Sequence, residues 1–403
     1  MNIGIEALSF YVPRYYLDLA ALAAARGVNV DKYYIGLGQE KMAVPPPDED
    51  VITMAANAGT QALTHVDRNS IDTIMFATES GVDQSKAGAI FVHSLLDLPS
   101  TCRAFEIKQA CCSSTAALDM AVALVHRNPD KKILIVAADV ARYGLCTAGE
   151  PTQGAGAVAM VISSSPHLVQ LDNESGSYTE DVMDFWRPNY MNEAVVDGKL
   201  SIRTYLHALG ESWKGYHHQS GRGLDGFERF CYHLPFTRMG EKAHAHLLAI
   251  AAAAEDCAVS SERISRVNDS LHYNRQIGNS YTASLYISLS SMLEHADDLS
   301  GQRIGLFSYG SGCMASFFSG IVGNRYQEWL TGDLHRDMLD DRVELSYEAY
   351  EELYAQSGPV TGDYQTTVHD TGQFRLAGIA GHKRLYERVA AAAAVREEPV
   401  PVA

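Results

Sequence analysis

Three short segments of this 403-residue chain each present one side chain with chemical reach: Glu79 in FATES, Cys111 in EIKQACCSST and His233 in YHLPFTRMG. A thiol nucleophile, a carboxylate base and an imidazole acid together meet the needs of carbon-carbon bond formation between two thioesters. Thiolate attacks a thioester carbonyl readily, so a cysteine can carry an acetyl group while the donor's carrier leaves. The acetyl methyl must then lose a proton. A carboxylate in a partly apolar pocket, its pKa raised toward about 6 to 7, can take it. The resulting enolate needs aligned amide donors, and a protonated imidazole can protonate the acceptor's ketone oxygen as the bond forms.

The elements that must hold these groups are legible around them. Residues 74–78, 105–108 and 230–232 are short apolar runs with strand character, leading to Glu79, Cys111 and His233 in turn. After Cys111, Ser113, Ser114 and Thr115 open an apolar helical stretch that reaches Val125. Cys111 is thereby expected at a helix N-terminus, where free amides and the dipole favour thiolate and lower a thiol pKa from about 8.5. Cys112 shares this context, and local sequence does not choose between the two. Each residue also has a plainer reading: a buried structural cysteine, a surface glutamate at a strand end, one structural histidine among fifteen. His233 is set apart by the rigid turn that follows it, with Pro235 at its centre.

Strands near 73–78, 104–109 and 132–139 alternate with helices near 50–65, 85–97 and 113–127, an α/β pattern. A second half is expected after an acidic, aromatic crossing near 176–200, which divides the chain into 1–175 and 176–403. That half repeats strand-helix units around 229–256 and 273–295 and ends in an apolar strand at 304–307. Both halves carry a glycine-rich turn feeding an apolar strand, at Gly154-Ala155-Gly156 and at Gly310-Ser311-Gly312. The tail at 389–403 reads as a helix fraying into a disordered end.

Composition narrows the class. Hydrophobic residues make up 46% of the chain, enough for large cores. Seven cysteines without regular spacing, no signal peptide and no bilayer-length apolar run point to reduced thiols in the cytoplasm. A net charge of −17 argues against nucleic acid as a partner. Contact with any phosphate-bearing or acidic partner then requires a local basic patch. Arg222, Arg263, Arg266 and Lys383 are candidates, though each taken singly reads better as ordinary solvated surface. No metal site is expected, because His217-His218 and His244-Ala245-His246 lack further ligands. The glycine turns lack the full dinucleotide fingerprint.

Many ordered stretches resemble the hydroxymethylglutaryl-CoA synthase family: IGIEALSFYVPRYYLDL, KYYIGLGQEKMAV, FATES, EIKQAC, DVARYGL, GEPTQGAGAVAM, TEDVMDFWRP, HLPFTRMGEKA, IGNSYTASLY and LFSYGSG. The resemblance implies a thiolase-like fold of two related halves in a layered αβαβα architecture, acting as a homodimer without a cofactor. It assigns the nucleophile to Cys111, the base to Glu79 and the acid to His233. Oxyanion amides are carried over to the cysteine and to the turn Phe307–Gly312, which includes Ser308. Asn279 is carried over as a companion of His233, with a helix N-cap as its other reading, and Tyr143 as a pocket residue. The family usually has Tyr after the nucleophile, whereas this chain has Cys112, so the local pocket shape departs from the pattern.

Initiating ketoacyl-ACP synthases also use Cys, His and Asn on this fold, and NSYTAS resembles their motif. They obtain the carbanion by decarboxylation and need no carboxylate base, so Glu79 favours the condensing synthase. A silent scaffold on the same fold predicts a broken constellation, and here all three reactive residues are present. Within the family, GQFRLAGIAGHKRLYERV and SYGSGCMASFFSG look more like the polyketide-associated branch. That resemblance implies donor and acceptor acyl carrier proteins as partners, with the CoA thioesters of primary metabolism, acetyl-CoA and acetoacetyl-CoA, as the alternative.

Overall fold

Long apolar runs with no polar alternation make strands that are buried on both faces, and two such runs form the centre of this molecule. The computed structural model describes residues 2–255, 260–356 and 362–389. Lys132–Ala141 and Gly154–Ser163 are almost wholly buried and pair as an antiparallel hairpin. They belong to a nine-stranded sheet, whose strands we number in chain order: β1 Gly4–Tyr11, β2 Ile71–Ala77, β3 Arg103–Ile107, β4 Lys132–Ala141, β5 Gly154–Ser163, β6 Val169–Thr179, β7 Arg229–Tyr232, β8 Arg303–Gly310 and β9 Met314–Val322. The spatial order is β7-β8-β9-β6-β1-β5-β4-β2-β3.

The pairing pattern repeats. In the first half, β2 is parallel to β4, β4 antiparallel to β5, and β5 antiparallel to β1. In the second, β7 is parallel to β8, β8 antiparallel to β9, and β9 antiparallel to β6. The duplication hinted at by the two glycine turns is therefore written in the topology. Residue 175 lies inside β6, so the chain passes from one half to the other within a single strand.

Helices cover and separate these strands. We label α1 Val51–Ala62, α2 Gly88–Leu95, α3 Ser113–Arg127, α4 Gly198–Ser220, α5 Arg238–Glu255 and α6 Ser284–His295. α1 packs on β5, β1 and β4, while α4 packs on the corresponding β9, β6 and β8. Between them, α3 lies against β2, β4 and β5, and α6 against β7, β8 and β1. The two inner helices meet through Ser114 Oγ donating to the Thr282 carbonyl at 2.7 Å and Thr115 Oγ1 beside Tyr286 Oη at 2.9 Å. The layers thus run helix, strands of the first half, paired helices, strands of the second half, helix, with the two sets of strands joined in one sheet through β1 and β6.

Two expectations differ from what is observed. The region 273–295 holds no strand: His272–Ile277 is helical and leads by a tight turn into α6. The crossing at 176–200 contains the end of β6 and the start of α4, a 23-residue helix. Asp197 caps that helix by accepting from Leu200 N–H at 3.0 Å, and Gly221 ends it at φ +67°. Its buried face, including Tyr205, Leu209, Trp213 and Tyr216, has helical spacing that was present in the sequence. The tail beyond Val389 lies outside the described residues.

Candidate active site

Parallel strands deliver their C-terminal ends to one edge of a sheet, and the two halves do so at equivalent places. Glu79 lies two residues beyond β2, and His233 is the first residue beyond β7. Cys111 lies just before α3. Its Sγ donates to Glu79 Oε1 at 2.8 Å, which joins the expected nucleophile to the expected base. The neighbouring Cys112 turns the other way and accepts from Ser308 Oγ at 3.3 Å. Its thiol is pushed up to about 11, chiefly by burial. The structure therefore separates two cysteines that local sequence could not.

The turn that presents Cys111 is tightly held. Ala110 adopts φ +44°, a left-handed conformation costly for a residue with a Cβ. Ser113 Oγ stabilises it by accepting from Gln109 N–H at 2.5 Å and donating to the Ala110 carbonyl at 2.7 Å. On the facing side, a Cβ at Gly310 would sit 2.5 Å from the Gln109 carbonyl and 2.8 Å from Cys112 N. Only glycine lets the end of β8 lie against the cysteine backbone. Ser308 and the amides of this turn are thereby brought beside the nucleophile.

His233 is tied to the same strand, because its N–H donates to the Phe307 carbonyl at 2.8 Å and its own carbonyl accepts from Tyr205 Oη at 2.7 Å. Its Nδ1 is buried without a hydrogen-bond partner among the described residues. Leu234, the next residue, exchanges hydrogen bonds with Ser284 Oγ at 2.9 and 3.0 Å, which fixes the strand end to α6. Asn279 is buried in the turn before α6, where its Oδ1 accepts from Tyr281 N–H at 2.9 Å and its own N–H donates to the Thr152 carbonyl at 3.1 Å. Tyr143 joins a small buried cluster with Cys111, Ala141 and Tyr281.

Burial sets the proton affinities here, in a direction that corrects one expectation. The Cys111 thiol is held well above its ordinary value by desolvation and then by the Glu79 charge. A helix N-terminus favours thiolate by at most ~2 kcal/mol, and enclosure beside a carboxylate outweighs it. Glu79 itself is pushed up to about 8, first by burial and then by Asp139. His233 is pulled down to about 3 by burial, so the resting imidazole is neutral rather than protonated.

Several residues that hold the site had not been singled out. Asp139, on β4, accepts from Glu79 N–H at 2.8 Å and Thr78 Oγ1 at 3.0 Å through Oδ1. Its Oδ2 accepts from Thr282 N–H at 3.1 Å and Thr282 Oγ1 at 2.5 Å, tying the base to the second half. A lone Asp in the apolar run KILIVAADVA was the available signal. The segment after β6 spans the site. Asp184 accepts from Tyr309 Oη at 2.7 Å and Gly312 N–H at 2.9 Å, Phe185 meets Tyr143 and Tyr281 edge-on, and Arg187 donates to the Glu79 carbonyl.

The candidate basic patch has a different character from the one considered in the sequence. Arg222 pairs with Glu174 at 2.9 Å, Arg263 with Asp225 at 2.5 Å and Arg266 with Glu262 at 3.1 Å, while Lys383 is exposed. Three of the four cations are thus matched by acids. Among the described residues, no helix is long and apolar enough to cross a membrane.

Sequence profiles of the hydroxymethylglutaryl-coenzyme A synthase N terminal and C terminal regions match residues 1–166 and residues 169–263 and 253–359. The chain belongs to the hydroxymethylglutaryl-CoA synthase family. It is an acyl-transferring condensing enzyme with the thiolase-like fold. The hydroxymethylglutaryl-CoA synthase of Enterococcus faecalis is 42% identical over 388 residues, covering 96% of this chain and 100% of that protein. The polyketide biosynthesis 3-hydroxy-3-methylglutaryl-ACP synthase PksG of Bacillus subtilis is 34% identical over 378 residues, covering 89% and 90%. A crystal structure of an HMG-CoA synthase complexed with CoA superimposes with a TM-score of 0.91 at 38% identity, covering 96% and 100% of the two chains. The curacin pathway HMG synthase in complex with acetyl donor-ACP gives the same TM-score at 32% identity, with the same coverage. Backbone shape does not separate the two branches. Sequence identity is higher to the relative named as a hydroxymethylglutaryl-CoA synthase than to the ACP synthase, against the carrier-protein expectation.

Proposed function

We propose that this family member condenses acetyl-CoA with acetoacetyl-CoA to a 3-hydroxy-3-methylglutaryl thioester, using Cys111 as acyl carrier, Glu79 as base and His233 as donor to the acceptor ketone. The observation that carries this reading is the 2.8 Å contact between Cys111 Sγ and Glu79 Oε1. Glu79 takes the thiol proton as sulfur attacks the donor thioester, and the departing CoA thiolate receives that proton. Acylation removes the S–H donor that had stabilised the carboxylate. Glu79 consequently becomes a stronger base for the next step, the removal of a methyl proton.

The enolate oxygen faces the amides gathered where the Cys111 turn meets Gly310 and Ser308. Its carbon attacks the acceptor ketone, whose oxygen the neutral His233 holds through N–H. The developing alkoxide raises the imidazole's proton affinity, so the ring takes up a proton from solvent and passes one to the alkoxide oxygen. Asn279 and Tyr143 shape the acceptor pocket, and hydrolysis then frees the product from Cys111. No resident cofactor takes part.

The preference for CoA rests on the 42% identity to the E. faecalis enzyme along the whole of that protein. The experiment is to compare acetyl transfer to Cys111, and product formation, from acetyl-CoA and acetyl-ACP with acetoacetyl-CoA as acceptor. Efficient turnover with acetyl-CoA is expected. A strong preference for acetyl-ACP, lost on acetoacetyl-CoA, would place the protein with the β-branching enzymes instead. Two copies are proposed to pair through the edge strand β3, where Phe105, Ile90 on α2 and Met120 on α3 are exposed.

A further inference from the structure

The proposed cycle has a proton balance that the three catalytic side chains do not close. The methyl group gives up one proton and the hydrolytic water two. Of these three, the Cys111 thiol recovers one as the carbon-sulfur bond breaks, and the new hydroxyl takes one. One water must therefore enter and one proton must leave in each turnover. Glu79 holds the methyl proton when hydrolysis begins, so it needs a partner before it can act on water.

A cavity of about 750 Å³ is lined by Glu79 and by Ala110, the neighbour of Cys111. Its wall mixes the cations Lys108, Arg142, Arg187 and Arg384 with the acids Asp50, Asp83 and Glu106, a lining that holds water. Glu49 lines the same cavity. The residue is 4% exposed, its Oε1 accepts from Tyr11 Oη at 2.6 Å, and its Oε2 has no hydrogen-bond partner among the described residues. The flanking Asp48 is engaged by His369 at 2.9 Å and Arg375 at 3.2 Å, and Asp50 caps α1 and pairs with Arg384 at 3.1 Å. Glu49 alone of the three carries no cationic partner among the described residues, and one of its oxygens is uncommitted.

Resting on the function proposed above, we infer that this cavity brings the hydrolytic water to Glu79 and carries the surplus proton away, with Glu49 as the relay carboxyl. The water oxygen attacks the thioester carbonyl and its first proton passes along cavity water to Glu49, which releases it to solvent. Glu79 returns the methyl proton to Cys111 sulfur as the carbon-sulfur bond breaks. The second water proton leaves as the product acid ionises, and since the new hydroxyl drew one from solvent through His233, one proton leaves in net. The two carboxyls have matched proton affinities, since burial pushes each up to about 8. With an affinity near 8, Glu49 can both accept the water's proton and release it to solvent close to neutral pH.

The test follows Cys111 by mass spectrometry in the full-length protein, quenched during turnover of acetyl-CoA and acetoacetyl-CoA. In Glu49→Gln the rate of acetylation is expected to be unchanged, while the condensed adduct accumulates on Cys111 and kcat falls severalfold. Tyr11→Phe keeps the carboxyl and removes a hydrogen bond that lowers its pKa. The pH limb of hydrolysis should then move upward with loading unaffected, which tests the relay even if Glu49→Gln does not fold. Wild-type adduct distribution and pH profile in both variants would overturn the relay while leaving the condensing function intact. Absence of any Cys111 adduct on the wild-type protein would overturn that function and the relay together.

Discussion

Glu79 and His233 occupy matching positions in the two halves, each just beyond a parallel strand that pairs with the central strand of its half. Their surroundings drive proton affinity in opposite directions. Around Glu79 the wall carries charged side chains, and burial together with Asp139 raises the acid to about 8. His233 sits beside Tyr205 and Tyr232 in an aromatic layer, and burial alone lowers the base to about 3. One duplicated scaffold has thus become two environments. The first half is suited to moving protons, and the second to holding a neutral donor against an oxygen.

The sharpest break of this division is at the thiol. Cys111→Ser should reduce acetyl loading to background, read by peptide mass spectrometry, because a hydroxyl at neutral pH is a far poorer nucleophile. Glu79→Gln should slow loading, since no carboxylate remains to take the thiol proton, and lower condensation further, by about 10²- to 10⁴-fold, the scale of a lost general base. His233→Ala should load normally and lose about 10²- to 10³-fold in condensation, the scale of a lost oxyanion donor. If loading rather than condensation failed in His233→Ala, the division of labour between the halves would not hold.

The pH profile sharpens the comparison. Glu79 acts as carboxylate, so condensation should rise with pH through about 8 and then level. His233 is neutral across that range and should add no fall on the alkaline side. A bell whose descending limb vanishes in His233→Ala would indicate a protonated imidazole instead. The smallest effect is expected from Asp139→Asn. Removing a negative charge that raises the Glu79 pKa should shift the ascending limb to lower pH, with part of the hydrogen bonding kept.

The reactive types and their strand-end settings were legible because they depend on short stretches: an apolar run, a helix start, a proline turn. Cys111 against Cys112 was not, since the choice is made by Glu79 and Ser308, which lie 32 residues before Cys111 and 196 after Cys112. Asp139 and Arg187 escaped notice for the same reason, reaching Glu79 from 60 and 108 residues away. The expected lowering of the thiol pKa failed because a local helix-end effect was weighed without the enclosure that only tertiary packing supplies. The strand expected before α6 became a helix and a turn, which places Asn279 and Thr282 where β4 and the Glu79 network can reach them.

Between β1 and β6 the two halves share only the pairs Gly4 with Gln170 and Ile5 with Val169. A methyl group at Gly4 would lie 2.0 Å from the Val169 carbonyl oxygen. This short stitch is a hinge with no slack. Any wedge there pushes β6 outward, and β9, β8 and β7 are attached to it in succession, the last of them ending at His233. The gap across which thioester and ketone must meet is thus gauged partly at the fourth residue of the chain, remote in sequence from every group that performs the chemistry.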